Sequence, residues 1–272
     1  MSILTDIKHR HSAGSLNGFV DNPQIEIAKR IFGIKQAAND NMIRGNVSEH
    51  IARFILARDP DSETIRKYSV KKWKEYNGQS ADAMMFALNC GKQFAQCLEE
   101  RQLKRPQIYQ EVFRDHIEGY DFPSIGYGDF TYTRIKLGSS RVLEDMTEPY
   151  LTVDLKSTAR VPSSLDTVAT NHIRQQSYYW GLSGKKRQFA LLYASDKKYN
   201  YIEIPQSRLE EGWEIMLKNQ RWIERIDSMC HSKQDWLDMF PFPDTNTFYY
   251  KDSGDFQQRI ITLLKGEQNA DN

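Results

Sequence analysis

Two carboxylates and an ammonium stand at the ends of neighbouring strand-like runs. Tyr127-Gly128-Asp129 opens one run, and Thr152-Val153-Asp154-Leu155-Lys156 closes the next. If the two runs pair antiparallel, Asp129 meets Asp154 and Lys156 at one end of a sheet. The strand period of two sends Asp154 and Lys156 to the same face. Two acids beside a positioned amine can hold hard divalent cations and polarise a water, and the natural chemistry of that set is phosphodiester hydrolysis. The plainer alternative is a cross-strand salt bridge at the surface.

The elements that must position these residues follow from periodicity. Apolar residues recur at helical spacing over residues 25–38, 47–57, 62–76 and 81–103, with Asp59-Pro60-Asp61-Ser62 as a break and cap. After Arg105-Pro106 the pattern turns strand-like over 108–117, 126–137 and 150–155. A helix over 165–182, strands over 188–193 and 199–204, and a helix from 205 to about 230 complete the chain, with 266–272 expected to be a disordered tail. This order predicts an α/β fold, a mixed sheet with helices on both faces.

Composition narrows the class. The 272 residues, 39% hydrophobic and 27% charged, suit one large domain or a domain with helical additions. No apolar run reaches membrane-spanning length and Met1-Ser2-Ile3-Leu4-Thr5-Asp6 lacks an apolar leader, so a cytoplasmic location without membrane contact is expected. Cys90, Cys97 and Cys230 form no even disulfide framework, and the first two, seven apart, fit one buried helix face. A net charge of +1 leaves polyanion binding to local basic stripes. Lys8-His9-Arg10-His11, Lys71-Lys72-Trp73-Lys74 and Lys185-Lys186-Arg187 are candidates, each of which alone reads more simply as a solvated face.

Four short elements fall in order along the chain. Gly45-Asn46-Val47-Ser48-Glu49 opens a helix, Gly126-Tyr127-Gly128-Asp129 leads into a strand, Asp154-Leu155-Lys156 lies on the next, and Gln175 and Tyr179 share a helix face at i, i+4. Over about residues 44–194 this set resembles the PD-(D/E)XK nuclease superfamily, in its RecB-like and lambda-exonuclease-like branch. The resemblance implies a restriction-endonuclease-like mixed sheet flanked by helices. Residues 1–104 would be a helical region contributing Glu49, 105–204 the catalytic core, and 205–272 C-terminal helices and tail, together one compact domain.

It further implies one or two Mg²⁺ or Mn²⁺ ions held by Glu49, Asp129, Asp154 and the backbone carbonyl of Leu155. Glu49, Asp129, Asp154 and Lys156 would be catalytic, with Lys156 orienting the attacking water. Gln175 and Tyr179 would position Lys156 and touch the DNA backbone, and Arg160, just past the strand, is placed for a phosphate contact. Similar nucleases with an iron–sulfur cluster use four cysteines, so no cluster is expected here. The implied activity is a metal-dependent DNA exonuclease acting at ends in recombination, repair or phage DNA processing. A structure-directed endonuclease and a non-catalytic DNA-binding module are the alternatives. DNA is the expected partner, and a single-strand annealing or recombination protein and a homo-oligomer stay open.

Several residues carry two readings. Glu49 could simply pair with Arg53 at i, i+4, and His50 lies about 100° further round that helix. Tyr178, Tyr179 and Trp180 could be core packing. Glu111 reads as an additional acid or a solvated strand position, and His172 as a phosphate contact or an ordinary helix residue.

Overall fold

Leu151, Val153 and Leu155 alternate with Thr152, Asp154 and Lys156, and that alternation gives one strand an apolar and a polar face. The computed structural model, which describes residues 2–35, 38–136, 143–145, 149–240 and 255–264, builds its sheet around this strand. In chain order the elements are α1 (Ile3–Asp6), β1 (His11–Ser12), α2 (Ala13–Asp21), α3 (Pro23–Arg30), α4 (Asp40–Arg58), α5 (Ser62–Glu75) and α6 (Ala81–Glu100). Then come β2 (Ile108–Asp115), β3 (Ser124–Tyr132), β4 (Arg134–Lys136), β5 (Leu143–Asp145) and β6 (Leu151–Ser157). The rest are α7 (Thr170–Leu182), β7 (Gln188–Ala194), β8 (Tyr199–Ile204), α8 (Gln206–Met229), α9 (Lys233–Asp238) and a last helix, Asp255–Leu264.

The result is a mixed α/β protein with a six-stranded sheet in the order β1-β3-β6-β7-β8, β2 also pairing with β3. β3 and β6 are antiparallel, with Phe130 opposite Val153 and Thr131 opposite Thr152. β6 and β7 are parallel, and β8 returns antiparallel to β7. β4 and β5 pair as a separate ribbon.

Among the described residues, one compact unit draws on Met1–Ala37, Arg114–Gly126 and Gly212–Asn272, and a second on Ala38–Phe113 and Tyr127–Glu211. Packing therefore divides the stretch 1–104 near residue 38 and places α4, α5 and α6 with β6, β7 and β8. In that second unit Ala52, Leu56, Cys90, Phe94 and Leu98 cover Phe130, Val153, Ala190 and Leu192. Each fully buried Phe or Leu contributes roughly 2 kcal/mol. Cys90 and Cys97 lie on the buried face of α6, and burial pushes their thiols up to about 12 and about 11. A further cluster joins Ile43, Val47 and Ile51 to Ile65, Trp73 and Leu88.

Capping places the helix starts. The side chains of Asn39, Asp61 and Ser80 accept from the amides of Met42, Thr64 and Ala83, and Asp40 accepts from the amides of Gln79 and Ser80. The Asn39 cap starts α4 seven residues before the expected position 47. α3 stops at Arg30 rather than 38, and Gly33 takes φ +70 just beyond it. α7 begins at Thr170, after a short 3₁₀ turn at Leu165–Thr167. Position 137 and the tail 266–272 lie outside the described residues.

The other unit holds elements that periodicity did not reveal, α1, β1 and α2. β1 runs parallel to the start of β3, His11 opposite Ser124. Leu4, Leu16, Phe19, Ile27 and Trp236 are buried there. In Lys8-His9-Arg10-His11 the two cations Lys8 and Arg10 are exposed, whereas the rings of His9 and His11 pack edge-on against Phe122 and are buried. Among the described residues no helix is long and apolar enough to cross a membrane.

Candidate active site

Antiparallel pairing of β3 and β6 brings Asp129 to Asp154-Leu155-Lys156. The backbone register runs from Tyr132 opposite Leu151 to Phe130 opposite Val153. Just past it, the Leu155 amide donates to Asp129 Oδ2 at 2.8 Å. Gly128, one residue earlier, is a close-approach position. A Cβ there would lie 2.9 Å from Thr152 Cγ2 and 3.1 Å from the Phe113 ring.

Lys156 and Asp154 share a face, as the period of two requires, and Lys156 Nζ lies 2.7 Å from Asp154 Oδ2. β6 is interior to the sheet, and Asp154 is only 2% exposed. Lys156 Nζ also donates to Gln175 Oε1 at 2.8 Å, and Gln175 Nε2 donates to the Tyr179 hydroxyl at 2.9 Å. The ammonium settles the orientation of the Gln175 amide, since only its oxygen can accept. Four side chains on two elements thus form one chain, Asp154–Lys156–Gln175–Tyr179. Tyr179 is also core packing, buried with its ring against Phe113, so its two readings are compatible.

Glu49 arrives from α4. That helix comes close to α6 because Gly91 has no side chain; a Cβ there would sit 2.6 Å from Ile51 Cβ and 2.9 Å from the Ser48 carbonyl. Both Glu49 carboxylate oxygens accept from Gln110 Nε2, at 2.8 and 3.1 Å. Arg53 lies over the Tyr109 ring at 4.1 Å, and His50 turns to the Tyr76 hydroxyl at 2.9 Å.

The electrostatics tie the three acids together. Burial first, then the charges of Asp154 and Glu49, raise the Asp129 carboxyl well above the usual carboxylate range, against the pull of Lys156. Glu49 is raised as well, by burial and by Asp154, with Gln110 opposing. For Lys156, burial works against the ammonium, but Asp154 and Asp129 outweigh it and hold its pKa above the ordinary value. The Tyr179 phenol is pushed up to about 12 by burial and by Asp154. Like charges crowded into a desolvated site make this cluster a candidate functional centre.

The structure brings Asp129, Asp154, Leu155, Lys156, Gln175 and Tyr179 together and sets Glu49 within their electrostatic reach. Arg160 is exposed, in a turn where its amide donates to Thr158 Oγ1. Glu111 is part of a different arrangement, accepting from Thr131 Oγ1 at 2.7 Å and pairing with Arg187 Nη1 at 2.6 Å. That removes Arg187 from the basic stripe 185–187. His172 Nδ1 meets the Tyr193 hydroxyl at 2.6 Å, and burial and the Lys156 charge lower the imidazole to about 4. Sequence reasoning assigned no role to Gln110 or Tyr193 and placed Arg187 only in a basic stripe. The β6–β7 register puts Tyr193 opposite Lys156.

No three His, Cys, Asp or Glu side chains among the described residues form a ready-made metal cluster. The donor set nonetheless fits Mg²⁺ or Mn²⁺, because a hard cation typically takes one or two carboxylates and completes its shell with water and phosphate. A cation beside Asp129 and Asp154 would also relieve their repulsion. The cavity of about 630 Å³ lined by Ile55, Leu56, Leu103 and Tyr132 includes none of these residues.

No family model matches the chain. No curated protein matches it either. The solved structure of SSO0001 aligns with 80% of this chain and 96% of its own, at 10% identity and a TM-score of 0.28. At that score the likeness carries no argument about fold or function.

Proposed function

We propose that the chain is a divalent-metal-dependent deoxyribonuclease of the PD-(D/E)XK type, RecB-like, with a restriction-endonuclease-like core, hydrolysing phosphodiester bonds at DNA ends. The observation that carries this reading is the meeting of Asp129, Asp154 and Lys156 where β3 and β6 pair, with Lys156 braced by Gln175. Asp129 and Asp154, with Glu49 and the Leu155 carbonyl, would hold one or two Mg²⁺ or Mn²⁺ ions. Bound there, the metal supplies Lewis acidity to the phosphoryl oxygens and an activated water.

The chain's own residues do the rest. Lys156, fixed between Asp154 and Gln175, presents a hydrogen-bond donor at a set position and aligns the water for in-line attack on phosphorus. The P–O bond opposite breaks, leaving a phosphate monoester and a free hydroxyl, without a covalent enzyme intermediate. Gln175 prevents the lysine from swinging away, and Tyr179 holds Gln175. Such fixing matters because rate depends steeply on the geometry of attack.

The test uses end-labelled linear DNA, single- and double-stranded, with Mg²⁺. Labelled product should appear with wild type, stop with EDTA, and be absent with Asp154→Ala or Lys156→Ala of unchanged circular dichroism. Full activity in either variant refutes the assigned roles. A closed circular substrate sorts the mode, since nicking or linearisation contradicts a strict exonuclease. DNA binding without cleavage on any substrate would leave a non-catalytic module.

A further inference from the structure

Gln110 sits in the middle of β2 with φ +53, a left-handed conformation that non-glycine residues seldom adopt and that costs backbone strain. The strand turns over at this residue. Tyr109 packs edge-on against Phe130, ring centroids 5.3 Å apart, whereas Glu111 accepts from Thr131 Oγ1. Phe130 and Thr131 are consecutive on β3 and so face opposite sides of the sheet. In an unbroken strand Tyr109 and Glu111 would share a side. Here they do not, and Gln110 is the extra residue that a bulge inserts to re-aim a side chain. The side chain so aimed is its amide, which spans both oxygens of Glu49.

We propose that Gln110 is a positioning residue for the metal site, its strained backbone holding the amide that orients the Glu49 carboxylate. This rests on the nuclease reading above, in which Glu49 faces the cation. An amide that donates from one side fixes the carboxylate plane and leaves the remaining lone pairs directed elsewhere, the usual task of a group that supports a metal ligand. A bulge that served only to let β2 change faces would need no glutamine. Glycine would take φ +53 without strain.

Two variants separate these roles. Gln110→Gly keeps the bulge and relieves the backbone. Gln110→Asn keeps a residue type that tolerates the left-handed region but is one methylene too short to reach Glu49. Thermal melting in EDTA should show both variants at or above the wild-type Tm. Calorimetric titration with Mn²⁺ should show affinity weakened by roughly 10-fold or more in both. The half-saturating Mn²⁺ for cleavage should rise in step, with a smaller change in rate at saturating metal. Wild-type Mn²⁺ affinity in either variant overturns the proposal, as does a large fall in Tm in both, which would make the amide a structural brace. If wild type itself binds no Mn²⁺, the failure belongs to the nuclease reading instead.

Discussion

Two carboxylate networks, one in each unit, have opposite electrostatic fates. Glu224, on α8, accepts from the amides of Asp121 and Phe122 and from Gln220 Nε2, and His11 Nε2 stands 3.4 Å from it. Burial would raise this carboxyl, but His11, the Asp121 amide and Gln220 more than offset it and hold it below the usual range. Asp129 and Glu49 also lie in desolvated surroundings, yet their strongest charged neighbour is another acid, and both are raised. In the first, donors and a histidine surround a single acid. The second sets like charges together at a cost, which makes it the candidate for a functional site.

The comparison can be broken most severely at Asp129. Asp129→Asn keeps the acceptor for the Leu155 amide but removes one of the crowded charges. DNA cleavage should fall at least roughly a thousandfold, in line with the several kcal/mol that metal-assisted charge stabilisation supplies. The Tm, measured by thermal melting at neutral pH without metal, should rise. A fall in Tm would mean that the cluster is structural after all. Glu224→Ala should do the reverse. It strands buried donors, costs about 3 kcal/mol by denaturant unfolding, and leaves cleavage per folded molecule unchanged.

Metal sharpens the contrast. Mn²⁺ at a hundred times its dissociation constant should stabilise wild type by about 2.7 kcal/mol, read as a Tm shift, and should leave Asp129→Asn unmoved. Proton binding supplies the smallest effect. Burial, His11 and the charge of Arg30 lower His9 to about 3, against Glu224, so the unfolded chain binds the proton first. Below the ordinary histidine value near 6.5, stability should therefore decline as pH falls, by at most about 1.4 kcal/mol per pH unit from this one group. Melting curves between pH 7 and pH 5 measure the slope, and His9→Phe should flatten it.

Local rules made much of this molecule legible beforehand. Asp154 and Lys156 share a face because strands repeat every two residues, and Gln175 reaches Tyr179 because helices bring i and i+4 together. The cap at Asp61 and the buried pair Cys90 and Cys97 follow from the same short-range patterns. Boundaries were less legible, as α4 and α7 show, because a cap or a short turn moves a helix end without altering its periodicity.

By itself, then, the amino-acid order determined α4, α5, α6, α7, β6, β7 and β8 of the second unit and the residue types that meet on β3, β6 and α7. The run expected over 126–137 divides instead into β3 and β4, and β5 was not foreseen. Only tertiary structure decided that Glu111 belongs to Arg187, that His9 and His11 are buried beside Phe122, that Gln110 holds Glu49, and that α2 and α3 share a unit with α9. Each of those depends on which distant surface covers a residue and which charge comes with it. Nearest-neighbour spacing carries no information about either, because partners separated by tens of residues are selected by packing of the whole sheet and its helices.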